Sequence, residues 1–388
     1  MRAERFDIAV SDDTLADLHT RLERTRWSPD FANDDWRYGT NLTYLRALTA
    51  YWRDGYDWRR HEVAMNGFDH YRTEIDDVPI HFIHRKGKGP NPVPLILSHG
   101  WPWTFWDMHK IIGPLADPAS FGGDPADAFD VVVPSLPGYG FSTPLTKPGV
   151  NAVGTADLWQ VLMNDVLGYG RFAAHGGDWG ALITAQLGHK HADRLIGIHI
   201  ANGAPLDFFK TGLPAIEEYD DSELASRARA AERMAEGHGY LAIQSTRPQT
   251  LAFGLADSPV GLCAWLLDKR REWSDCGGDV ERSFSKDELL TSVMLYWITE
   301  SVGTAARYYY EIRHNPWQPS HDRTPTVDVP TGIIRFKHDV CYSPRRVMER
   351  NYDIRRWTSV PTGGHFAPME TPEILVDDLR AFFRPLRP

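Results

Sequence analysis

The sequence predicts an α/β fold: a mostly parallel sheet covered on both faces by helices, with an N-terminal extension before it and a helical cap inserted into it. Three features carry that expectation. Short apolar runs alternate with helix-compatible stretches between residues 94 and 200, the pattern turns almost wholly helical after Asn202, and strand-like segments resume at 332–336 and 355–360. At 388 residues the chain suits one large domain with additions, or two domains. The expected division is an extension over 1–90, the first part of the core over 91–205, the cap over 206–325 and the rest of the core over 326–388.

Within the extension, Ser11 is placed to cap a helix over 12–24, in which Leu15, Leu18 and Leu22 share a face and the early acids suit the helix dipole. Asn41 is placed to cap a second, with Leu42, Leu45, Leu48 and Trp52 as its apolar stripe. Trp27, Trp36, Tyr38, Tyr51, Tyr56 and Trp58 add more apolar bulk than two helices need, so the extension should lie against the larger body. Residues 78–84 read as a strand with Val78, Ile80 and Phe82 on one face, and Pro79 puts its start at a sheet edge.

The strand at 94–97 leads into Ser98-His99-Gly100-Trp101-Pro102, and that at 129–133 into Pro134-Ser135-Leu136-Pro137-Gly138-Tyr139-Gly140. A helix fits between them, and another over 156–167. The run Phe172-Ala173-Ala174 then meets His175-Gly176-Gly177-Asp178-Trp179-Gly180, followed by a helix from Ala181 and a strand over 195–200. A strand turned this sharply into a helix needs small residues beside its apex. The pattern is that of the G-x-S-x-G nucleophile elbow with Asp178 in place of serine. A carboxylate there can attack an electrophilic sp3 carbon and form an ester open to water at its carbonyl. The plainer alternative is a turn whose aspartate caps the next helix.

Residues 222–313 read as mainly helical, a cap able to contact substrate and exclude water or a merely structural cover. Asp339 follows the strand ending near 336 and His365 follows the one ending near 360, which places acid and histidine after the nucleophile in the chain order of an α/β hydrolase. Asp339 can accept a hydrogen bond from one ring nitrogen of His365 and leave the other to deprotonate water, with Glu349 and Asp353 as competing acids. The backbone N–H groups of Trp179 and Trp101 are candidates for an oxyanion hole; Pro102 has none to give.

Taken together, Thr25-Arg26-Trp27, His99-Gly100-Trp101-Pro102, Gly176-Gly177-Asp178-Trp179-Gly180, Thr246-Arg247-Pro248-Gln249-Thr250, Asp257-Ser258-Pro259-Val260-Gly261-Leu262 and Gly363-Gly364-His365-Phe366 make most of the chain resemble an epoxide hydrolase of the microsomal type, within the α/β-hydrolase superfamily. The resemblance implies a two-step reaction. Asp178 opens the epoxide, and water activated by His365 and oriented by Asp339 cleaves the ester to a vicinal diol. It also implies two ring-opening tyrosines in the cap, Tyr240 and Tyr309, the latter with Tyr308 and Tyr310 as immediate competitors. Trp103 stands where the family pattern usually has glycine, and its bulk is expected to narrow the pocket or alter its preference.

The formal charge of −10 and the absence of a basic block argue against nucleic acid as a partner and suit an uncharged substrate, here a small hydrophobic epoxide and water. Cys263, Cys276 and Cys341 suggest neither a disulfide framework nor a zinc site, and no cofactor or metal is required. No signal peptide or transmembrane stretch is recognisable, so a soluble, cytoplasmic protein without membrane anchor, like the soluble bacterial members, is expected; a homodimer is compatible with the resemblance. Two rivals remain: a haloalkane dehalogenase with the same aspartate nucleophile, and a noncatalytic ligand-binding relative. A serine esterase fits poorly because the elbow has no serine.

Overall fold

In the computed structural model, which describes residues 2–387, nine strands form one sheet. They are β1 (Glu4–Arg5), β2 (His70–Ile75), β3 (Val78–Arg85), β4 (Val93–Ser98), β5 (Phe129–Pro134), β6 (Phe172–Gly176), β7 (Leu195–Ala201), β8 (Val327–Phe336) and β9 (Tyr352–Val360), in the order β1-β2-β3-β5-β4-β6-β7-β8-β9. Every pair from β5 to β9 is parallel, whereas β1, β2 and β3 join by antiparallel pairing. The central strands β5 and β6 are buried along their whole length, as strands covered on both faces must be.

Successive residues of β7 identify the two layers, because neighbours in a strand point to opposite faces. Ile198 lies near Gly188 of the helix Trp179–Lys190, while His199 meets Asp378 and Phe382 of the helix Pro372–Phe383. The chain order reverses around β4, whose neighbours are β5 on one side and β6 on the other. A crevice therefore opens beyond the carboxyl ends of β4 and β6, where a parallel sheet places its ligands.

The extension forms the helices Asp12–Glu23 and Leu42–Asp54, capped by Ser11 and Asn41 as expected, and a third, Trp58–Asn66, capped by Asp57. Its partner is largely the cap. Tyr51 donates to Asp287 at 2.7 Å, Thr40 to the Ala264 carbonyl at 2.8 Å, and Arg21 to the Asp257 carbonyl at 2.8 Å. β2 was not foreseen from the sequence. It joins β3 through Asp76 and Asp77, both at positive φ, a hairpin turn usually announced by glycine or asparagine. Pro79 has only one flank paired: β2 runs beside it, while β5 reaches only residues 82–85, so β3 is an inner strand with an exposed-flank start.

Between β7 and β8 lies the inserted helical cap, which includes Leu224–Glu236, Gly239–Gln244, Pro248–Asp257, Pro259–Trp273, Lys286–Ile298 and Val302–His314. Among the described residues no single helix is long and apolar enough to cross a membrane, and the apolar pair Pro248–Asp257 and Pro259–Trp273 is bent by 117°. β8 and β9 begin earlier than the sequence suggests. Their register shifts between Val327 and Pro330 and again between Thr331 and Gly332, where proline and glycine make the strand read as a loop.

Candidate active site

β6 ends in the sharp turn the sequence anticipates. Asp178 sits at φ 55° and ψ −125°, and the helix Trp179–Lys190 starts at the next residue. An aspartate is held in so unfavourable a conformation only by well-packed surroundings, and the turn projects its carboxylate above the sheet. Gly180 is required here, since a Cβ at this position would lie 2.0 Å from the Ser98 carbonyl oxygen.

The loop after β4 approaches the same point. His99 is fully buried, and burial holds it neutral, down to about 4. Its Nδ1–H donates to the Gly100 carbonyl at 2.9 Å and its Nε2 accepts the Leu136 N–H at 3.0 Å, which fixes the tautomer and the loop. The Trp101 N–H then donates to Asp178 Oδ1 at 2.8 Å. The Trp179 N–H, first in its helix, has no intrahelical acceptor.

His365 and Asp339 arrive on the loops after β9 and β8. His365 Nδ1–H donates to Asp339 Oδ1 at 2.7 Å, and Nε2 stands 3.3 Å from Asp178 Oδ2, off the line of a proper hydrogen bond. Burial opposes an imidazolium here, but the Asp339 and Asp178 carboxylates outweigh it and push His365 up to about 10. Neither competing acid reaches the histidine. Glu349 pairs with Arg345 at 2.7 Å and Asp353 with Arg355 at 2.9 Å, both at the surface side of their elements.

From the cap, Tyr240 on Gly239–Gln244 stacks on Trp101, with ring centroids 5.0 Å apart at 7°, and Tyr309 on Val302–His314 stands edge-on to Trp179 at 4.6 Å. The two tyrosine rings meet edge to face, with centroids 5.9 Å apart at 86°. Burial raises both phenols well above 10, helped at Tyr240 by the charge of Asp178 and at Tyr309 by Tyr240 and then Asp178, so both keep their protons as donors. The neighbouring tyrosines are occupied elsewhere: Tyr308 shares a 2.7 Å hydrogen bond with Thr155, and Tyr310 stacks on His314.

Asp178, Trp179, Tyr240, Tyr309, Asp339 and His365 all line one cavity of about 210 Å³. Its remaining wall is mostly apolar and includes Leu182, Phe209, Met234, Leu241, Val340 and Cys341, none singled out from the sequence as wall residues. They come from distant segments, and nothing in the local pattern distinguishes them from ordinary core. One expectation is corrected. Trp103 does not line the cavity; it is buried behind His365, edge-on at 5.4 Å, and against Gly177, so its bulk supports the back of the imidazole. Among the described residues, no group of three His, Cys, Asp or Glu side chains could hold a metal ion.

Residues 3–108 match the family model described as epoxide hydrolase N terminus, and residues 93–236 match that of the alpha/beta hydrolase fold. A Stigmatella aurantiaca protein provisionally named an epoxide hydrolase is 40% identical over 383 residues, 98% of this chain and 85% of its own length. Epoxide hydrolase 1 of Oryctolagus cuniculus is 35% identical, covering 97% of this chain and 88% of its own. The crystal structure of juvenile hormone epoxide hydrolase from the silkworm Bombyx mori superposes with a TM-score of 0.87 at 29% identity, over 99% of this chain and 95% of that one.

Proposed function

Because the chain belongs to the epoxide hydrolase family, we propose that it opens small hydrophobic epoxides through a covalent ester on Asp178 and releases vicinal diols. The observation that carries this reading is the convergence of five side chains on one cavity: a carboxylate, a His–Asp pair and two protonated phenols.

In the first step the epoxide oxygen accepts hydrogen bonds from Tyr240 and Tyr309 while Asp178 Oδ2 attacks a ring carbon. Oδ1, held by the Trp101 N–H at 2.8 Å, is left as the ester carbonyl oxygen. The ring C–O bond breaks and the alkoxide takes a proton from a phenol, which is replenished by the proton that His365 gives up. In the second step neutral His365, oriented by Asp339, removes a proton from water. The resulting hydroxide attacks the ester carbon, and negative charge develops on Oδ1 facing the Trp101 and Trp179 amides. Collapse breaks the bond from that carbon to the alkyl oxygen, which takes the proton left on the attacking hydroxyl, so that the Asp178 carboxylate, the diol and protonated His365 result.

Mostly apolar walls favour an uncharged substrate, and 210 Å³ favours a small one. The N-terminal extension and its Thr25-Arg26-Trp27 support the microsomal type within the family, with residues 206–325 as the cap. A haloalkane dehalogenase would have no use for two protonated phenols in the nucleophile's cavity. The deciding experiment is mass spectrometry after a single turnover in isotopically labelled water. Label in Asp178, with little in the first-turnover diol, is expected. Label in the diol and none in Asp178 would overturn the covalent route, and halide release from haloalkanes without diol formation would favour the rival.

A further inference from the structure

The loop that carries His365 is tied on one side to the end of β8, where the His338 N–H donates to the Gly363 carbonyl at 3.1 Å, and on the other to the end of a cap helix. The His365 N–H donates to the Trp273 carbonyl at 2.8 Å, and the Gly363 N–H donates to Asp275 Oδ2 at 2.9 Å. Trp273 ends the helix Pro259–Trp273 and Asp275 follows it, so both belong to the cap. The contact is as close as backbones allow, for a Cβ at Gly364 would lie 2.6 Å from the Trp273 oxygen and 2.8 Å from the Asp275 nitrogen.

One side chain completes the joint. Glu370 accepts the Phe366 N–H on Oε1 at 2.9 Å and the Asp275 N–H on Oε2 at 2.7 Å, bridging the histidine loop and the cap with a single carboxylate. Burial raises its pKa to about 7 even though both amides favour the charged form, so the bridge is kept in a place that disfavours charge. The Trp273 ring extends the joint into the cavity, standing 5.1 Å from the His365 ring and 5.2 Å from that of Tyr240.

Resting on the assignment of His365 as the base, we propose that Glu370 and Asp275 are positioning residues that lock the base loop to the cap, so that seating of the cap over substrate sets the aim of His365 at the ester. Neither carboxylate lines the cavity. Both act through the backbone of residues 363–366, and the half-reaction they govern is the one in which His365 works as a base. Asp178 is held separately, by the elbow and by Trp101, so its attack on the epoxide depends on the joint much less.

The test separates the two half-reactions by rapid-quench and stopped-flow kinetics on the full chain with a terminal aryl epoxide. Glu370→Gln keeps the shape but turns one acceptor into a donor facing an N–H; Asp275→Ala deletes the acceptor for Gly363. Each is expected to slow ester hydrolysis by about tenfold or more and alkylation by less than about threefold, as a small displacement of a reacting group allows. The alkyl-enzyme then accumulates and KM falls together with kcat. Should Glu370→Gln fail to fold, Gly364→Ala strains the same joint with both carboxylates intact and is expected to give the same split. Equal slowing of both steps, or no change in either while wild type forms the Asp178 ester, would overturn the proposal. Absence of any ester in wild type would overturn the underlying assignment instead.

Discussion

Replacing Gly100 with alanine tests the close approach of the loop after β4 to the nucleophile. The added Cβ would lie 2.2 Å from Asp178 Oδ1 and 2.3 Å from Asp178 Cβ, so the closer contact is 0.8 Å short of the 3.0 Å that real Cβ atoms keep. The clash cannot be relieved by a flexible tip, because it involves the base of the nucleophile as well as its oxygen. Either the loop after β4 retreats, which lengthens the 2.8 Å Trp101 hydrogen bond, or Asp178 turns, which changes its 3.3 Å approach to His365. Overpacking of this kind costs about 1–3 kcal/mol of stability. A displacement near 1 Å at reacting atoms costs on the order of 10²-fold in rate. Gly100→Ala should therefore remain folded, with a modest drop in Tm, while single-turnover alkylation slows by about 10²-fold or more. An alkylation rate within about threefold of wild type in a folded variant would refute the steric account of the nucleophile's placement.

The cap phenols should matter most to ring opening: Tyr240→Phe and Tyr309→Phe together are expected to lower the alkylation rate by about 10²–10⁴-fold, and largely retained alkylation would remove them from the acid role. Asp178→Asn takes away one of the two carboxylates that stabilise the His365 imidazolium, so the His365 pKa should fall from its wild-type value of about 10 in an NMR titration; an unchanged or higher value would contradict the coupling. Since this pKa is raised on folding, the imidazolium's contribution to stability is fully present below the ordinary value of 6.5 and is lost as pH rises through about 10; Asp178→Asn should narrow that window from its upper end, readable in the pH dependence of urea unfolding. In the cap, Arg270 pairs with Asp107 at 2.6 Å with both side chains buried, donates to the Pro102 carbonyl at 3.0 Å and lies over the Phe366 ring at 4.2 Å. Arg270→Met leaves Asp107 charged and unpaired, which should cost about 3–5 kcal/mol in denaturant unfolding, with a loss under about 1 kcal/mol as the contrary result.

What could be read from the chain follows from how local each signal is. The elbow at Asp178, the caps at Ser11 and Asn41 and the acid–histidine order each depend on a few consecutive residues or on strand succession. The N–H of Trp101 was legible too, since Gly100 before it and Pro102 after it leave few alternatives. Tyr309 could not be separated from Tyr308 and Tyr310 by sequence, because which face of Val302–His314 meets the cavity depends on packing against the core. Only in the fold does Tyr308 turn to Thr155 and Tyr310 to His314. The side of its loop that Trp103 takes is hidden from the sequence for the same reason. Its place in the loop was clear, but whether an indole there enters the cavity or backs His365 depends on space behind the elbow that no neighbouring residue reports. β2 carries no local signal of this kind, because Asp76 and Asp77 make a turn without the usual glycine.

On the proposed route the same imidazole must serve two steps with opposite demands. Before attack, a cationic His365 suits the site, since it stands between two carboxylates and neutralises the repulsion between Asp178 and Asp339. After attack, a cation would be useless, because hydrolysis needs a neutral nitrogen to accept a proton from water. The chemistry itself performs the change. Once Asp178 becomes an ester, its charge is gone from beside Nε2, and one of the two causes that raise His365 disappears while burial, which favours the neutral ring, remains. The proton it sheds is the one the new hydroxyl requires, and the nitrogen it bares lies where Asp178 Oδ2 stood 3.3 Å away. Activation of water is thereby coupled to the existence of the ester, and the resting enzyme holds its base in reserve until there is something to hydrolyse.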